Sequence, residues 1–305
     1  MKNKINTLII IIGVCLILYP IIAKIVMNYH ETYVIKEYQK NVKTYDAEEI
    51  KDIMEKAKKY NKDLTDNTVI KKDNENNNDN SENTNTNTPN KSHIDLSNNG
   101  ELLGYINIPK ITVYLPIYYG TTDDVLDSGV GLLKDSSIPI GGENTHAVIT
   151  GHSGLIKAKM FDDISKLEIG DKFYIHIMNK KLEYEVDNIQ TVTPDYLDTS
   201  QIIEGRDLVT LVTCTPYLIN THRLLVRGTR VNNTDDQENV NLGESQEEID
   251  NLQSINIINI ILITICILIV ITIIAICIII KKRKKNQKEN KTDINQRNIE
   301  GNDGK

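Results

Sequence analysis

Two long uncharged apolar runs near the ends of the chain constrain its fold more than any other feature. Residues 255–280 hold no charged side chain and are followed at once by the basic run "KKRKK". Because about 20 apolar residues span a bilayer core of roughly 30 Å, this pattern predicts a membrane-spanning helix. Residues 8–23 are also uncharged, and no small-residue cleavage site follows them. That absence favours a retained anchor over a cleaved signal peptide.

The charges that flank the two apolar runs predict the topology. Lys2 and Lys4 precede the first run, and the basic residues at 281–285 follow the second, whereas the segment before the second run, "ESQEEIDN", is acidic. Positive charge marks the cytoplasmic side of a span. The sequence therefore predicts a two-pass protein of the cell membrane with both termini in the cytoplasm and residues 28–254 outside the cell.

The residue composition and the spacing of apolar residues change several times between the two predicted spans. Apolar residues recur at helical spacing over 29–65, with a break near Asp46 that predicts two helices, and the Asn-rich stretch after residue 70 is nearly free of apolar side chains. The predicted parts are an anchor at 1–28, membrane-proximal helices at 29–70, a flexible linker or lid region at 71–97, a β-domain at 98–235, an acidic linker at 236–254, a transmembrane helix at 255–280 and a basic tail at 281–305.

Short apolar runs separated by turn signals fill the β-domain. Residues 171–192 look like one hairpin, and residues 207–214 and 223–231 look like a second antiparallel pair. Few helical patterns interrupt these runs. A closed β-barrel is the architecture that such a series of short strands predicts.

Cys214 is the only cysteine of the predicted external segment, since the other three, Cys15, Cys266 and Cys277, fall in the predicted spans. Cys214 therefore cannot form a disulfide within that segment. No CxxC pair or Cys/His set offers a zinc site either. The thiol is left with two interpretations, a small core residue or a nucleophile, and a nucleophile needs a base or a cation nearby.

His152 and Arg223 are the candidates for those partners. His152 follows the strand-like run "AVITG" in a Gly-flanked turn, where a side chain can face a cleft at the end of a barrel, although a turn histidine that faces water fits the same pattern. If 207–214 and 223–231 are antiparallel neighbours, Arg223 lies across from Cys214. A guanidinium there can donate to an oxyanion, unless Arg223 is an ordinary surface arginine.

Composition and motifs exclude several other functions. The net charge of −7 argues against a nucleic-acid partner, and no Gly-rich phosphate loop is present. "GHSG" lacks the final glycine of a serine-nucleophile elbow, and "HETYV" lacks the second histidine of a zinc-protease helix. We predict neither a cofactor nor a bound metal.

Two segments together resemble class C sortases, the pilin-polymerising transpeptidases of Gram-positive bacteria. "TLVTCTPYLINTHRLLVRG" at 210–228 resembles the cysteine signature of that family, and "GGENTHAVITGHSGL" at 141–155 resembles its histidine segment. The resemblance covers about residues 100–231. It implies a mainly β fold: an eight-stranded sortase barrel with membrane-proximal helices and two flanking transmembrane helices.

By position, the resemblance implies that Cys214 is the nucleophile, His152 the general acid and base, and Arg223 the residue that stabilises substrate and oxyanion. It also implies cleavage of a sorting signal similar to Leu-Pro-x-Thr-Gly through a thioacyl enzyme, which a lysine amine of a pilin subunit then resolves. A wall-anchoring sortase that uses a peptidoglycan amine, a cysteine protease and a non-catalytic surface binding module stay open as alternatives.

The chain departs from the class C pattern at two places. None of its seven prolines follows an aspartate, so the Asp-Pro-aromatic lid motif of many class C members is missing. A lid of that type, and self-inhibition by it, is therefore not predicted for 71–97. Leu218 stands where the family often has glycine.

Overall fold

The structure, a computed structural model, describes residues 2–74, 100–195 and 201–231, together with residues 261, 264, 279, 280, 283 and 287. The chain divides into two compact units, Met1–Leu252 and Gln253–Lys305. In the second unit the described residues are helical. The two helices and the barrel below all belong to the first unit.

Two helices precede the β-domain, as predicted. Helix α1 covers Lys2–Val42 and helix α2 covers Ala47–Asn74. Asp46 lies at the break and begins α2 with a capping box. Its carboxylate accepts the backbone N–H of Glu48 at 2.9 Å and of Glu49 at 2.8 Å, and the Glu49 carboxylate accepts the N–H of Asp46 at 3.0 Å.

Helix α2 is longer than the sequence predicts. It runs through Asn74, so the first four residues of the predicted linker at 71–97 are helical. A helix that has already nucleated adds one backbone hydrogen bond for each further residue, which allows polar residues to extend it. The rest of the predicted linker lies outside the described residues.

Within the described part of the chain, no helix combines the length and the apolar character that a membrane span requires. The spans predicted at 8–23 and 255–280 stay predictions, and most of the second lies outside the described residues.

Eight strands close into a barrel, which confirms the predicted architecture. Their order around the barrel is β1-β2-β3-β4-β7-β8-β6-β5. The strands are β1 Leu102–Ile108, β2 Val113–Tyr119, β3 Val130–Leu132, β4 Thr145–Thr150, β5 Lys172–Ile177, β6 Lys180–Val192, β7 Asp207–Thr215 and β8 His222–Arg230, with a short helix α3 at Asp123–Ser128. Both predicted antiparallel pairs are present, β5 with β6 and β7 with β8. Strands β4 and β7 are parallel.

The barrel interior is filled by aromatic and branched side chains. Phe173 and Tyr184 are fully buried and stack with ring centroids 5.5 Å apart. Gly228 of β8 lies beneath them, where a Cβ would stand 2.5 Å from the Phe173 ring. A side chain at 228 would therefore displace this pair, which is why β8 needs glycine there.

Helix α1 is fixed to the outside of the barrel by buried polar bonds as well as apolar packing. Ile35, Tyr38 and Val42 pack with the barrel residues Tyr105 and Tyr114. The Tyr38 hydroxyl donates to the carbonyl of Leu103 at 2.8 Å and accepts the N–H of Met178 at 2.7 Å. Gln39 donates its amide N–H to the Tyr105 hydroxyl at 2.7 Å. We call this contact surface the α1 seam.

Candidate active site

Parallel pairing of β4 and β7 brings two distant parts of the chain to one end of the barrel. Thr150 is paired with Val212, and the contact continues beyond the strand end of β4. The Gly151 N–H donates to the Val212 carbonyl at 3.0 Å, and the Thr213 hydroxyl donates to the Gly151 carbonyl at 2.7 Å. His152 follows Thr150 by two residues and Cys214 follows Val212 by two. The two side chains are therefore at the same level of neighbouring strands.

Antiparallel pairing of β7 and β8 adds the third candidate. Cys214 is the register partner of Arg223, as the sequence predicts. Residues directly opposite each other in an antiparallel pair present their side chains on the same face of the sheet. Arg223 and the thiol are thus neighbours. All three candidates, Cys214, His152 and Arg223, are half-buried, so their reactive atoms are reachable from solvent.

The Arg223 guanidinium is held by its own loop. Its Nη1 donates to the carbonyl of Asn220 at 3.2 Å and to that of His222 at 3.1 Å. A guanidinium has five N–H donors in a fixed planar fork. These two bonds orient the fork through one amino group, and the remaining donors provide the capacity to bind a substrate oxygen. The sequence predicts the position of Arg223 but not this anchoring.

The loop that carries His152 is supported by residues that the sequence did not single out. The Phe161 N–H donates to the His152 carbonyl at 3.0 Å, and the Asp162 carboxylate accepts the Gly154 N–H at 2.7 Å. Burial raises the pKa of Asp162, and the Gly154 bond opposes that effect. Gly151 packs on the Phe161 ring, where a Cβ would stand 2.8 Å from the ring. The imidazole is thus presented by a backbone fixed on both sides of it.

The other described histidines have different surroundings. His146, at the start of β4, is buried between the Gln201 carbonyl and the Thr210 hydroxyl, each 2.7 Å from a ring nitrogen, and burial lowers its pKa. His176 is buried and stacked on Tyr105 with centroids 4.3 Å apart, and burial lowers its pKa to about 3. His30 and His222 are exposed. Among the described histidines, His152 alone combines partial burial with a position at the Cys214 end of β4 and β7.

The loop between β7 and β8 presents three exposed apolar side chains beside the site. Tyr217, Leu218 and Ile219 are 52%, 68% and 66% exposed. Leu218 has a φ of +64°, in the left-handed region that costs a non-glycine residue roughly 1–2 kcal/mol. This backbone conformation explains why glycine suits the position. A Cβ at Gly154 would stand 3.1 Å from the Leu218 side chain, so the two loops of the site lie close together.

The arrangement suits acyl transfer. The thiol of Cys214 is a nucleophile once it loses its proton, an imidazole at the same level can accept or return that proton, and the opposite guanidinium can stabilise an oxyanion. Cys214, His152 and Arg223 are thus candidates for these three roles.

Comparison with known proteins agrees with this chemistry. Residues 106–231 match the family model of the sortase domain. The chain is 41% identical to sortase C from Clostridium perfringens SM101, covering 66% of this chain and 99% of that one with a TM-score of 0.55. It is 43% identical to the Clostridium perfringens sortase C solved with the C-terminal cell wall sorting motif, with the same coverage of both chains and a TM-score of 0.56.

More distant relatives share a shorter region. Sortase A of Bacillus anthracis is 32% identical over 128 residues, which is 42% of this chain and 59% of that protein. Sortase D of Bacillus subtilis is 36% identical over 138 residues, or 43% of this chain and 65% of that protein. The chain thus spans less than two thirds of the length of these relatives, although it covers almost all of the solved sortase C chains. Because it has the same barrel domain and is more than 40% identical to those structures, the chain belongs to the sortase family. The structures that it matches along nearly their whole length are class C sortases.

Proposed function

We propose that the protein is a cysteine transpeptidase that cleaves a sorting signal similar to Leu-Pro-x-Thr-Gly and joins the new carboxyl end to an amine. The observation that carries the proposal is the placement of Cys214 opposite Arg223 and level with His152. Backbone pairing brings these positions of β7, β8 and the loop after β4 to one end of the barrel, and each residue is of a type that acyl transfer requires.

In the first half-reaction, the Cys214 thiolate attacks the carbonyl carbon of the threonine in the sorting signal, and a C–S bond forms. The carbonyl oxygen takes up the electron pair as an oxyanion, which Arg223 stabilises by N–H donation. The oxyanion then collapses and the Thr–Gly C–N bond breaks. Protonated His152 gives its proton to the departing glycine amine, which leaves a thioacyl enzyme and a neutral imidazole.

In the second half-reaction, an amine attacks the thioacyl carbon. His152 accepts a proton from the amine, Arg223 again binds the oxyanion, and the C–S bond breaks to release the Cys214 thiolate with a new amide bond. Resolution by an amine rather than water defines a transpeptidase. The exclusion of water from the thioacyl group favours that outcome.

We propose a lysine of a pilin subunit as the acceptor amine, which makes the reaction pilus assembly. The similarity to class C sortases supports this choice, and the C. perfringens structure with a cell wall sorting motif supports the donor class. A peptidoglycan amine is the second candidate acceptor, since wall anchoring needs the same thioacyl chemistry. We also propose that residues 8–23 and 255–280 hold the enzyme in the cell membrane with the barrel outside the cell.

The test is a product analysis with the full chain in detergent. The enzyme is incubated with a pilin-like protein that ends in a sorting signal, in the presence or absence of a short peptidoglycan-like amine. A ladder of covalent pilin multimers is expected. Adducts of the small amine alone would identify wall anchoring, and hydrolysed product alone would contradict transpeptidation.

A variant distinguishes catalysis from mere binding. Cys214→Ala removes the nucleophile without changing a backbone bond, so every covalent product is expected to disappear while the sorting signal still binds. A thioacyl adduct on the wild-type chain, detected by mass spectrometry and absent from Cys214→Ala, would locate the bond. Unchanged product formation by Cys214→Ala would exclude Cys214 as the nucleophile, whereas binding of the sorting signal without any covalent product from the native chain would favour the non-catalytic binding module.

A further inference from the structure

The contacts of α1 show where this helix leaves the barrel. From Val42 to Ile35 the helix packs on Tyr105 of β1 and Tyr114 of β2, and Glu31, about one turn earlier, is near enough to Tyr118 of β2 to raise its pKa. Met27 packs against the main core cluster of the barrel. About one turn before Met27, Lys24 is near enough to Asp162 for its positive charge to oppose the rise that burial causes in the pKa of that carboxyl. Asp162 is the residue that holds the loop of His152.

The helix that follows α1 fixes its other end. Helix α2 follows α1 after a break of four residues, and its Asn61 amide donates to the Ile138 carbonyl at 2.9 Å and its Thr65 hydroxyl to the Asn144 carbonyl at 3.1 Å. Both acceptors precede β4, so the C-terminal end of α1 adjoins the edge of the barrel where β4 begins. The N-terminal end of α1 is therefore directed to the opposite edge, where β4 ends and His152 follows.

Exposed apolar side chains are concentrated at this edge. Ile156, in the loop after His152, is 67% exposed, and with Tyr217, Leu218 and Ile219 it forms a group that we call the apolar rim. The two loops of the rim lie close together, since a Cβ at Gly154 would stand 3.1 Å from the Leu218 side chain. Helix α1 also exposes large apolar side chains as it leaves: Leu16 is 70% exposed, Tyr19 65% and Val26 61%.

We propose that the apolar rim enters the interfacial layer of the membrane beside α1, so that the catalytic site opens at the lipid surface. This rests on the membrane anchoring of the proposed function. The occupant is lipid because the rim and the exposed apolar face of α1 adjoin the same edge, and Lys24 stands between them where a cation meets headgroups. Tyr217 brings an aromatic ring with a polar tip, the side-chain type enriched at membrane interfaces.

A catalytic site at the lipid surface affects how the substrate is delivered. A sorting signal that is still tethered to the membrane by its own chain reaches Cys214 without crossing open solvent. Lipid that covers the rim also excludes water from one side of the thioacyl group, which favours the amine over hydrolysis.

The chain contains no tryptophan, so a single introduced tryptophan reports on one position. The full chain with Ile219→Trp is reconstituted in lipid nanodiscs, with and without brominated acyl chains that quench tryptophan. The matched control is Ile203→Trp. Ile203 is 38% exposed and precedes β7, whereas Ile219 follows it, and the seven steps from Asp207 to Cys214 along that strand span about 23 Å.

For Ile219→Trp, emission is expected to fall by about half in brominated nanodiscs and to shift to shorter wavelength, as for a side chain 5–10 Å deep in the interface. Emission of Ile203→Trp is expected to stay unchanged. Equal emission of Ile219→Trp in both lipids would overturn the proposal. So would a change seen only after a soluble sorting-signal peptide is added, because that result would assign the rim to the peptide.

A second variant guards against a folding defect. Tyr217→Trp replaces one exposed aromatic ring by another, 52% exposed in the native chain, and is expected to be quenched in the same way. Absence of quenching in both variants, with circular dichroism unchanged, would contradict the rim assignment. Because quenching does not depend on turnover, a failed transpeptidation assay and a failed rim assignment give different results.

Discussion

The α1 seam and the Cys214 end of the same barrel are built in opposite ways. At the seam, Tyr38 and Gln39 are buried, and their polar groups bond to the barrel across more than sixty residues of sequence. At the Cys214 end, the hydrogen bonds of Arg223 within the described part of the chain go to carbonyls one and three residues away, in the exposed residues His222 and Asn220. The polar groups of the seam are bonded to the protein itself, whereas Arg223 keeps N–H donors that can bind a substrate.

This difference separates stability from activity. Removing a buried seam group leaves its partner without a bond and raises the free energy of the folded state. Removing a site group costs the folded state little because solvent replaces it, but removes an interaction that is needed in the transition state. Each of the following substitutions tests that separation.

The largest effect is expected for Arg223→Ala. Loss of an oxyanion donor lowers kcat on the order of 10²–10³-fold, or about 2.7–4 kcal/mol of activation free energy, with an unchanged midpoint of thermal unfolding. Arg223→Lys keeps the charge but not the planar fork, so we expect partial activity. Steady-state kinetics with a sorting-signal peptide measures both. Equal activity of the two variants would remove Arg223 from the mechanism.

A buried carboxyl makes the seam sensitive to pH. Glu31 is 4% exposed, its Oε1 has no hydrogen-bond partner among the described residues, and burial raises its pKa to about 8. The stability that the protonated group contributes is complete below the unfolded pKa near 4.5 and is lost as the pH rises through 8. Glu31→Gln should therefore be more stable than the native chain above pH 8, by a few kcal/mol.

The measurement for Glu31 is urea unfolding of both proteins between pH 5 and pH 9. The native chain is expected to lose stability relative to Glu31→Gln across that window, with equal kcat at pH 7. Tyr118 is the titratable neighbour on β2, and its pKa of about 12 keeps it neutral throughout. Parallel curves for the two proteins would show that the carboxyl is not buried at the seam.

Tyr38→Phe removes one hydroxyl from the seam. The Leu103 carbonyl and the Met178 N–H then lose their partner inside the protein, so we expect a loss of about 2 kcal/mol of unfolding free energy. Because the site is not involved, kcat at 25 °C should stay within twofold of the native value. A large fall in kcat without loss of stability would show that the seam residue contributes to activity rather than to stability.

The smallest effect is expected for Asp162→Ala, which frees the Gly154 N–H and loosens the His152 loop. We expect kcat/KM to fall about tenfold, or about 1.4 kcal/mol, mostly through kcat. Asp162→Asn retains an acceptor oxygen and should recover most of the activity. The neighbouring Asp163→Ala breaks only surface ion pairs with Lys159 and Lys166 and is the matched control. A similar loss in both alanine variants would argue against positioning by Asp162.

The sequence predicts the parts of this design that depend on short-range pattern. Alternation and turn signals locate the β5–β6 hairpin and the β7–β8 pair, and that pair sets Cys214 opposite Arg223. The strand-to-turn change at "AVITG" locates His152. In each case the residues that matter are close in sequence to the pattern that reveals them.

What the sequence could not predict depends on contacts between distant segments. The bond from Asp162 to Gly154 requires a loop to fold back on itself, and the bond from Thr213 to Gly151 requires the parallel pairing of β4 and β7. Asp162 lies in the run "MFDDISK" beside a second aspartate, and nothing in its type or spacing distinguishes the two. The length of α2 was missed because composition argued for a linker where an existing helix continued.

The strand order has a consequence for how the enzyme matures. Strand β7 joins β4, which precedes it by more than fifty residues, and β8 is the last of the eight barrel strands in chain order. Pairings over such distances form slowly because a long loop must close first. During synthesis, His152 and Cys214 both emerge before the strand that carries Arg223. If Arg223 is the oxyanion donor that we propose, a nascent chain holds the thiol without that donor until β8 closes the barrel.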